Sequence, residues 1–269
     1  MICTASLPMY NFPGMRQVNA AFWLALSTLL RRRGLAGVPD ALSYDSAPVP
    51  ERLGAEVLFT QTCGWPLQTL YQGQYRLLAR PCYNAAGCVG STHSAFIMVR
   101  QDSAAHTVAN LRGSRFALNT LHSNSGMNLP RRLFADLAQG RPFFGQVIET
   151  GGHGASLRLL QAGGADCASI DCLTIAFAQD YQPELVAGLR ILAQTPPSPT
   201  IPFVTSIATD PEIRALLQGC LFEMSADPAF RPVLDGLRMA RIEPAQEEDY
   251  NRLLDYEREA AELGYPAIA

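Results

Sequence analysis

The residues best suited to chemistry are Ser123-Asn124-Ser125-Gly126, set between a strand-like run at Arg115 to Asn119 and an apolar helical pattern. A helix leaves the amides of its first turn without intrahelical acceptors, so hydroxyls and backbone N–H groups gathered at its mouth can converge on one oxyanion. No lysine is needed for that, and the chain has none. Further on, Gly151-Gly152-His153-Gly154-Ala155-Ser156 repeats the arrangement, with small residues and one polar side chain ahead of a helix. The run Ala165-Asp166-Cys167-Ala168-Ser169-Ile170-Asp171 then ends a strand on a carboxylate, which is also placed to cap a helix beginning near Cys172. Taken singly, each is an ordinary cap or loop. Their succession in this order points to anion binding.

Cys63, beside Gly64 at another helix start, suggests a nucleophile, because a helix N-terminus lowers a thiol pKa. No histidine lies near it in sequence, and a buried inert cysteine is the plainer reading. Arg31-Arg32-Arg33 closes a helix and complements the negative end of its dipole.

Composition bounds the class. A chain of 269 residues, 48% hydrophobic and 17% charged, is long enough to bury a real core as one large domain or two lobes. A net charge of −3 offers no sequence-wide basic field, which disfavours nucleic acid as a partner. Seven cysteines make an odd count with no Cys-x-x-Cys pair and no Cys/His cluster at zinc spacing, so neither a metal nor a cofactor is expected. A reducing compartment is the simpler reading, with Cys82 and Cys88 the close pair available to bridge. No apolar run reaches the roughly 20 residues of a membrane span, and none at the start has the form of a signal peptide. The chain as it stands is therefore expected to be cytoplasmic, or periplasmic if a signal sequence has been removed.

Strand-like and helix-like segments alternate, the pattern of an α/β protein with mixed, mostly parallel sheets and flanking helices. Ile2 to Leu7 reads as a first strand. Asn11-Phe12-Pro13 then supplies a cap and an early proline for a helix marked by Met15, Val18, Phe22, Ala25, Leu26 and Leu29 and closed by Gly34. Strands are expected at Val57 to Thr60, Tyr75 to Ala79 and Ala95 to Val99, with a helix near Leu67 to Tyr71. After a polar crossing, strands at Phe116, Val147-Ile148 and Asp166 to Ile170 alternate with helices at Arg131 to Leu137, Ala155 to Ala162 and Leu173 to Ala178. The proline-rich run Thr195 to Pro202 bars helix and marks a return crossing. Two crossings imply two lobes, 1–99 with 200–269 and 100–199, with a cleft between them.

The path through Asn110-Leu111-Arg112-Gly113-Ser114-Arg115-Phe116-Ala117, Ser123-x-Ser125-Gly126, Gly152-His153 and Ala165-Asp166-x-Ala168-x-Ile170-Asp171 resembles the phosphonate/phosphate-type solute-binding proteins of ABC transporters. Ala5-Ser6-Leu7-Pro8-Met9-Tyr10 and Phe59-Thr60-Gln61-Thr62-Cys63-Gly64 fall where the first-lobe ligand loops of that family belong. The resemblance implies the two-lobed type 2 periplasmic-binding-protein fold and capture of a small phosphorus oxyanion, a phosphonate, phosphate or phosphite, in the interlobe cleft. The protein would then be the binding component of an uptake system or a related sensor. Ser123, Asn124, Ser125 and Gly126 would meet phosphoryl oxygens, His153 would add a donor, and Asp171 would accept from a protonated oxygen or an amine. Tyr10 would form an aromatic wall, and Thr62, Cys63 and Gly64 a second helix N-terminus. His93 stands where an aromatic, commonly tyrosine, is expected, which leaves the organic end of the ligand open. The implied partners are the small oxyanion and an ABC permease, with no nucleic acid and no membrane insertion, the protein being a monomer. The alternative is an enzyme of cofactor biosynthesis on the same fold, with Cys63, His153 and Asp171 as reacting groups.

Overall fold

A computed structural model describes residues 3–44 and 53–269. The chain divides into two compact units, Met1–Asn84 with Val89–Ser91 and Pro199–Asp249, and Ala85–Cys88 with Thr92–Ser198 and Tyr250–Ala269. The two main sheets are built from β1 (Thr4–Ala5), β2 (Val57–Gln61), β3 (Tyr75–Tyr83), β4 (Ala95–Arg100), β5 (Arg115–Leu118), β6 (Gln146–Glu149), β7 (Cys167–Asp171), β8 (Leu189–Gln194), β9 (Phe203–Ser206) and β10 (Met239–Glu243). The α-helices are α1 (Arg16–Arg32), α2 (Gly64–Gln68), α3 (Leu129–Ala138), α4 (His153–Gln161), α5 (Cys172–Tyr181), α6 (Pro211–Ala226), α7 (Arg231–Gly236) and α8 (Asn251–Glu262). Among the described residues no helix is long and apolar enough to cross a membrane.

In the first unit the strand order is β1-β2-β9-β3-β10. The amphipathic pattern after Pro13 is α1, whose Phe22, Trp23, Leu26, Leu29 and Leu30 are buried at helical spacing. The rings of Phe22, Phe59 and Phe203 stack with centroids 5.1 to 6.3 Å apart, and Trp23 lies 5.7 Å from Phe59, so one aromatic cluster joins α1 to β2 and β9. Each such side chain taken from water contributes roughly 1.5–3 kcal/mol. Two local expectations need correction here. A 3-10 turn, Pro13–Met15, leads into α1 without a side-chain cap, so Asn11 does not cap the helix. The expected strand Ile2 to Leu7 is only Thr4–Ala5, Ile2 lying outside the described residues.

In the second unit the order is β8-β4-β7-β5-β6. Every residue of β7 is buried, as suits a central strand, and Phe116 of the neighbouring β5 joins Phe134, Phe143 and Phe144 in a buried ring cluster with centroids 4.6 to 6.4 Å apart. The sheets are mixed but not mostly parallel. Parallel pairing is confined to β1 with β2 and to β5 with β6 and β7, whereas β9 with β2 and β3, β10 with β3, and β4 with β7 and β8 are antiparallel. Parallel neighbours need a long crossover between them; within the second unit α3 and α4 supply it, and strands that enter or leave a unit run the other way.

The lobe limits of 1–99 with 200–269 are corrected at both ends. β4 pairs with β7 and β8 and so belongs to the second unit, and the C-terminal helix α8 returns there. Charge and hydrogen bonds hold α8 against α3: Arg132 pairs with Glu259 at 2.7 Å, and buried Arg131 reaches the Pro266 carbonyl at 2.9 Å.

Candidate functional site

Parallel pairing sends the C-terminal ends of β5, β6 and β7 to one edge of the second unit's sheet, the edge at which open α/β sheets bind ligands. β4 runs against β7 with Ala95 opposite Asp171, which brings His93 and Ser94 to that same edge. Four pieces of chain therefore meet there: the turn after β5, the start of α4, the end of β7 and the approach to β4.

The turn after β5 is a π-helical turn, Asn124–Asn128, running directly into α3. α3 was expected from about Arg131 but begins at Leu129, because Pro130 falls in its first turn, where an N–H has no partner to lose. Ser123 caps the turn: its Oγ accepts from Gly126 N at 2.9 Å and from Asn119 Nδ2 at 2.9 Å. With both acceptor positions used, the Ser123 hydroxyl hydrogen remains to be donated. Gly126 is required by space. A Cβ there would stand 1.8 Å from Asn119 Oδ1, which is itself fixed by the Thr120 N–H at 2.7 Å.

Ser125 Oγ lies 2.9 Å from His153 Nε2, and its carbonyl accepts from Ser169 Oγ at 2.6 Å. His153 is the first residue of α4, which starts two residues before the expected Ala155. Asn119 Nδ2 also approaches His153 Nε2 at 3.4 Å. Since Asn119 must present its oxygen to Thr120, its nitrogen side faces the imidazole, and Nε2 is assigned as the acceptor. The ring proton then sits on Nδ1, which is buried with no hydrogen-bond partner. Burial, with His93 adding to it and Asp171 opposing, pushes the His153 pKa below its ordinary value, so the ring is neutral near pH 7.

Asp171 is committed on both sides. Oδ1 caps α5 by accepting from Leu173 N at 2.8 Å and Thr174 N at 3.3 Å, and Oδ2 lies 3.1 Å from His93 Nε2. Burial alone would raise its pKa. The His93 imidazole, through charge and hydrogen bond, together with His153 and the Leu173 N–H, outweighs burial and holds the carboxyl below the usual range.

Ser123, Asn124, Ser125, Gly126, His153, Asp171 and His93 thus gather in the second unit, but not all with hands free. The Gly126 N–H serves Ser123, and the Asn124 amide is spent on Ser198 Oγ at 3.0 Å and Asn128 at 3.2 Å. Tyr10, Thr62, Cys63 and Gly64 belong to the first unit, at the ends of its parallel strands β1 and β2. Tyr10 is buried edge-on to Tyr83 at 6.5 Å. The helix expected at Leu67 to Tyr71 is α2, one short turn from Gly64 with Cys63 as N-cap. Thr62 Oγ1 and Gln61 Nε2 are buried with no hydrogen-bond partner.

Sequence reading missed Asn119, Asn128, Ser169 and Gln61. Asn128 is fully buried, donating to the Leu253 carbonyl at 3.0 Å and accepting from Arg131 at 2.6 Å, so the C-terminal helix braces the turn from behind. A polar residue within an apolar pattern was the available signal for Asn128. Gln61 and Ser169 carried none.

The family model for phosphonate-binding periplasmic substrate-binding proteins of ABC transporters matches residues 58–250. Among curated proteins no sequence match was found. Among solved structures, the binding component of an ABC phosphonate transporter from Pseudomonas aeruginosa is 14% identical over 97% of this chain and 87% of its own, with a TM-score of 0.74. XAC2383 from Xanthomonas citri, bound to ATP, is 16% identical over 98% of both chains, with a TM-score of 0.69. PhnD1 from Prochlorococcus marinus, in complex with methylphosphonate, is 14% identical over 89% of this chain and 83% of its own, with a TM-score of 0.59. These likenesses give the chain the two-lobed type 2 fold of periplasmic binding proteins. With the family match spanning most of the sequence, the chain belongs to the phosphonate-binding family of periplasmic substrate-binding proteins of ABC transporters.

Proposed function

We propose that this protein captures a phosphonate or related phosphorus oxyanion for an ABC permease, and that it acts by binding rather than by turnover. The observation that carries the reading is the Ser125–His153 pair at the mouth of the π-turn, with the buried Nδ1 of His153 left without a partner. The Ser123 hydroxyl, the His153 Nδ1–H and a helix start are neutral donors suited to a tetrahedral oxyanion, with Ser125 holding the imidazole in place, and the helix end favours an anion by roughly 0.3–1 kcal/mol when exposed and up to about 2 when partly buried. Within the first unit, Thr62, Cys63, Gly64 and Tyr10 are read as ligand-contacting residues, a reading supported by the unsatisfied Thr62 and Gln61 donors. Membership of a periplasmic substrate-binding family supports a periplasmic setting after removal of a signal sequence, and we read the protein as a monomer serving its permease.

The enzyme alternative gains no support. The family is one of transport components, His153 is hydrogen-bonded to Ser125, and both Asp171 oxygens are engaged.

The test is a thermal-shift series on dialysed protein with methylphosphonate, 2-aminoethylphosphonate, phosphate, phosphite, sulfate and ATP, the last because a structural neighbour holds it. A ligand at 100 times its Kd stabilises the protein by roughly 2.7 kcal/mol. Selective stabilisation by phosphonates, weakened about 5- to 150-fold by Ser125→Ala, is expected, since the substitution removes one buried contact of roughly 1–3 kcal/mol. Stabilisation by none of these anions would reject the reading.

A second expectation concerns protons. A bound dianion favours the protonated imidazole, so binding near pH 6 should be accompanied by proton uptake that His153→Gln removes. Calorimetry in buffers of different ionisation enthalpy measures this, and equal uptake in both proteins would take His153 out of the site. Without ligand the sign reverses. The unfolded histidine takes a proton near pH 6.5 and the folded one only at lower pH, so stability falls as pH drops through that interval.

A further inference from the structure

Cys88 Sγ and Cys172 Sγ lie 3.6 Å apart. Cys172 is buried as the first residue of α5, immediately after Asp171, and Cys88 is half-buried on the short segment Ala85–Cys88. That segment rests directly on Cys172: at Gly87, whose φ is +85°, a Cβ would come 2.9 Å from Cys172 Cβ. Glycine is thus required twice over, by conformation and by space, and the close approach of the two sulfurs is built into the backbone. The chain passes between the two units on both sides of this segment, at Asn84/Ala85 and at Cys88/Val89. The sequence pairing of Cys82 with Cys88 gives way, because Cys82 lies in β3 and hydrogen-bonds Glu243. Cys167 is turned towards Ser114 Oγ and the Arg115 carbonyl.

We infer that Cys88 and Cys172 are a disulfide site, closed by exchange with a small-molecule or protein disulfide, and that closing it ties the connecting segment to the start of α5. Half-exposed Cys88 attacks the oxidant's disulfide as its thiolate, giving a mixed disulfide and releasing one thiol. Cys172 then displaces the second thiol, so two protein thiols become one S–S bond while the oxidant disulfide is reduced to two thiols. A bond of about 2.05 Å requires the sulfurs to close by roughly 1.5 Å, within reach of side-chain rotation. The family's periplasmic setting is a compartment in which such bonds persist.

The test uses the full chain, reduced and then incubated with glutathione disulfide, with free thiols counted by alkylation after denaturation and the cross-link mapped by non-reducing peptide mass spectrometry. Oxidation should remove two of the seven alkylatable thiols, yield one linked peptide pair carrying residues 88 and 172, and be reversed by dithiothreitol. Cys88→Ser and Cys172→Ser should each abolish that pair. All seven thiols remaining free, or the lost thiols mapping to another pair such as Cys82 with Cys88, would overturn the assignment. This readout needs no ligand, so its failure leaves the binding proposal untouched.

Discussion

Asp171→Asn should destabilise the folded protein by roughly 3–5 kcal/mol at pH 7, the scale for breaking a buried charged pair by changing one partner. The carboxylate serves donors on both sides, the Leu173 and Thr174 amides at one oxygen and His93 Nε2 at the other. An asparagine has one oxygen to give, so whichever way its amide turns, an NH2 group meets a donor. Asp171→Ala loses the cap as well, adding roughly 0.5–2 kcal/mol. The pH dependence separates this from ordinary packing loss. The folded carboxyl is held below its unfolded value of about 3.9, so its contribution is present above that value and disappears as pH falls through the lower folded one. Urea titrations at pH 7 and pH 3 should therefore show wild type and Asp171→Asn far apart at neutral pH and converging in acid. A constant difference across that range would reject the charged-pair account.

The order of elements was legible because it rests on local signals. α1 announced itself through apolar spacing and Gly34, and the turn at Ser123 through a hydroxyl followed by a small residue at a strand end. Strand direction was not legible. Whether β4 runs with or against β7 depends on which unit the chain enters from, and nothing within Ala95 to Arg100 encodes that. The allegiance of α8 is hidden for a similar reason: Glu259 and the Leu253 carbonyl are fixed by partners on α3 and the π-turn, distant in sequence.

The proposed site residues divide along the same line. Ser125 and His153 were recognisable from their small neighbours at helix mouths. Asn124 looked like a ligand donor from its position, yet its amide is turned inward to Ser198 and Asn128 by a π-turn that no spacing rule foresaw. Asn119 was passed over as the end of a strand. In the folded chain it holds Ser123, approaches His153 and sets the space around Gly126, which makes it the residue that positions these three groups relative to one another.

That role makes Gly126→Ala the most severe single test of the site. The glycine's φ is not positive, so the obstacle is contact rather than backbone strain: the new methyl would sit 1.8 Å from Asn119 Oδ1 and 2.3 Å from its Cγ. Asn119 is buried and short, and it cannot move aside without giving up the Thr120 amide, Ser123 Oγ and the His153 contact together. Overpacking of this kind costs about 1–3 kcal/mol, and the released polar groups add roughly as much again. Methylphosphonate affinity should fall at least about 100-fold, since the Ser123 hydroxyl and His153 lose their shared support. Adding Asn119→Ala to Gly126→Ala removes the clash and should recover a large part of the melting temperature without recovering the affinity. Such non-additivity in stability, absent from binding, is what a positioning residue between two site elements produces. If Gly126→Ala alone binds methylphosphonate as the parent protein does, the Asn119 bracket is not what holds the anion site in shape.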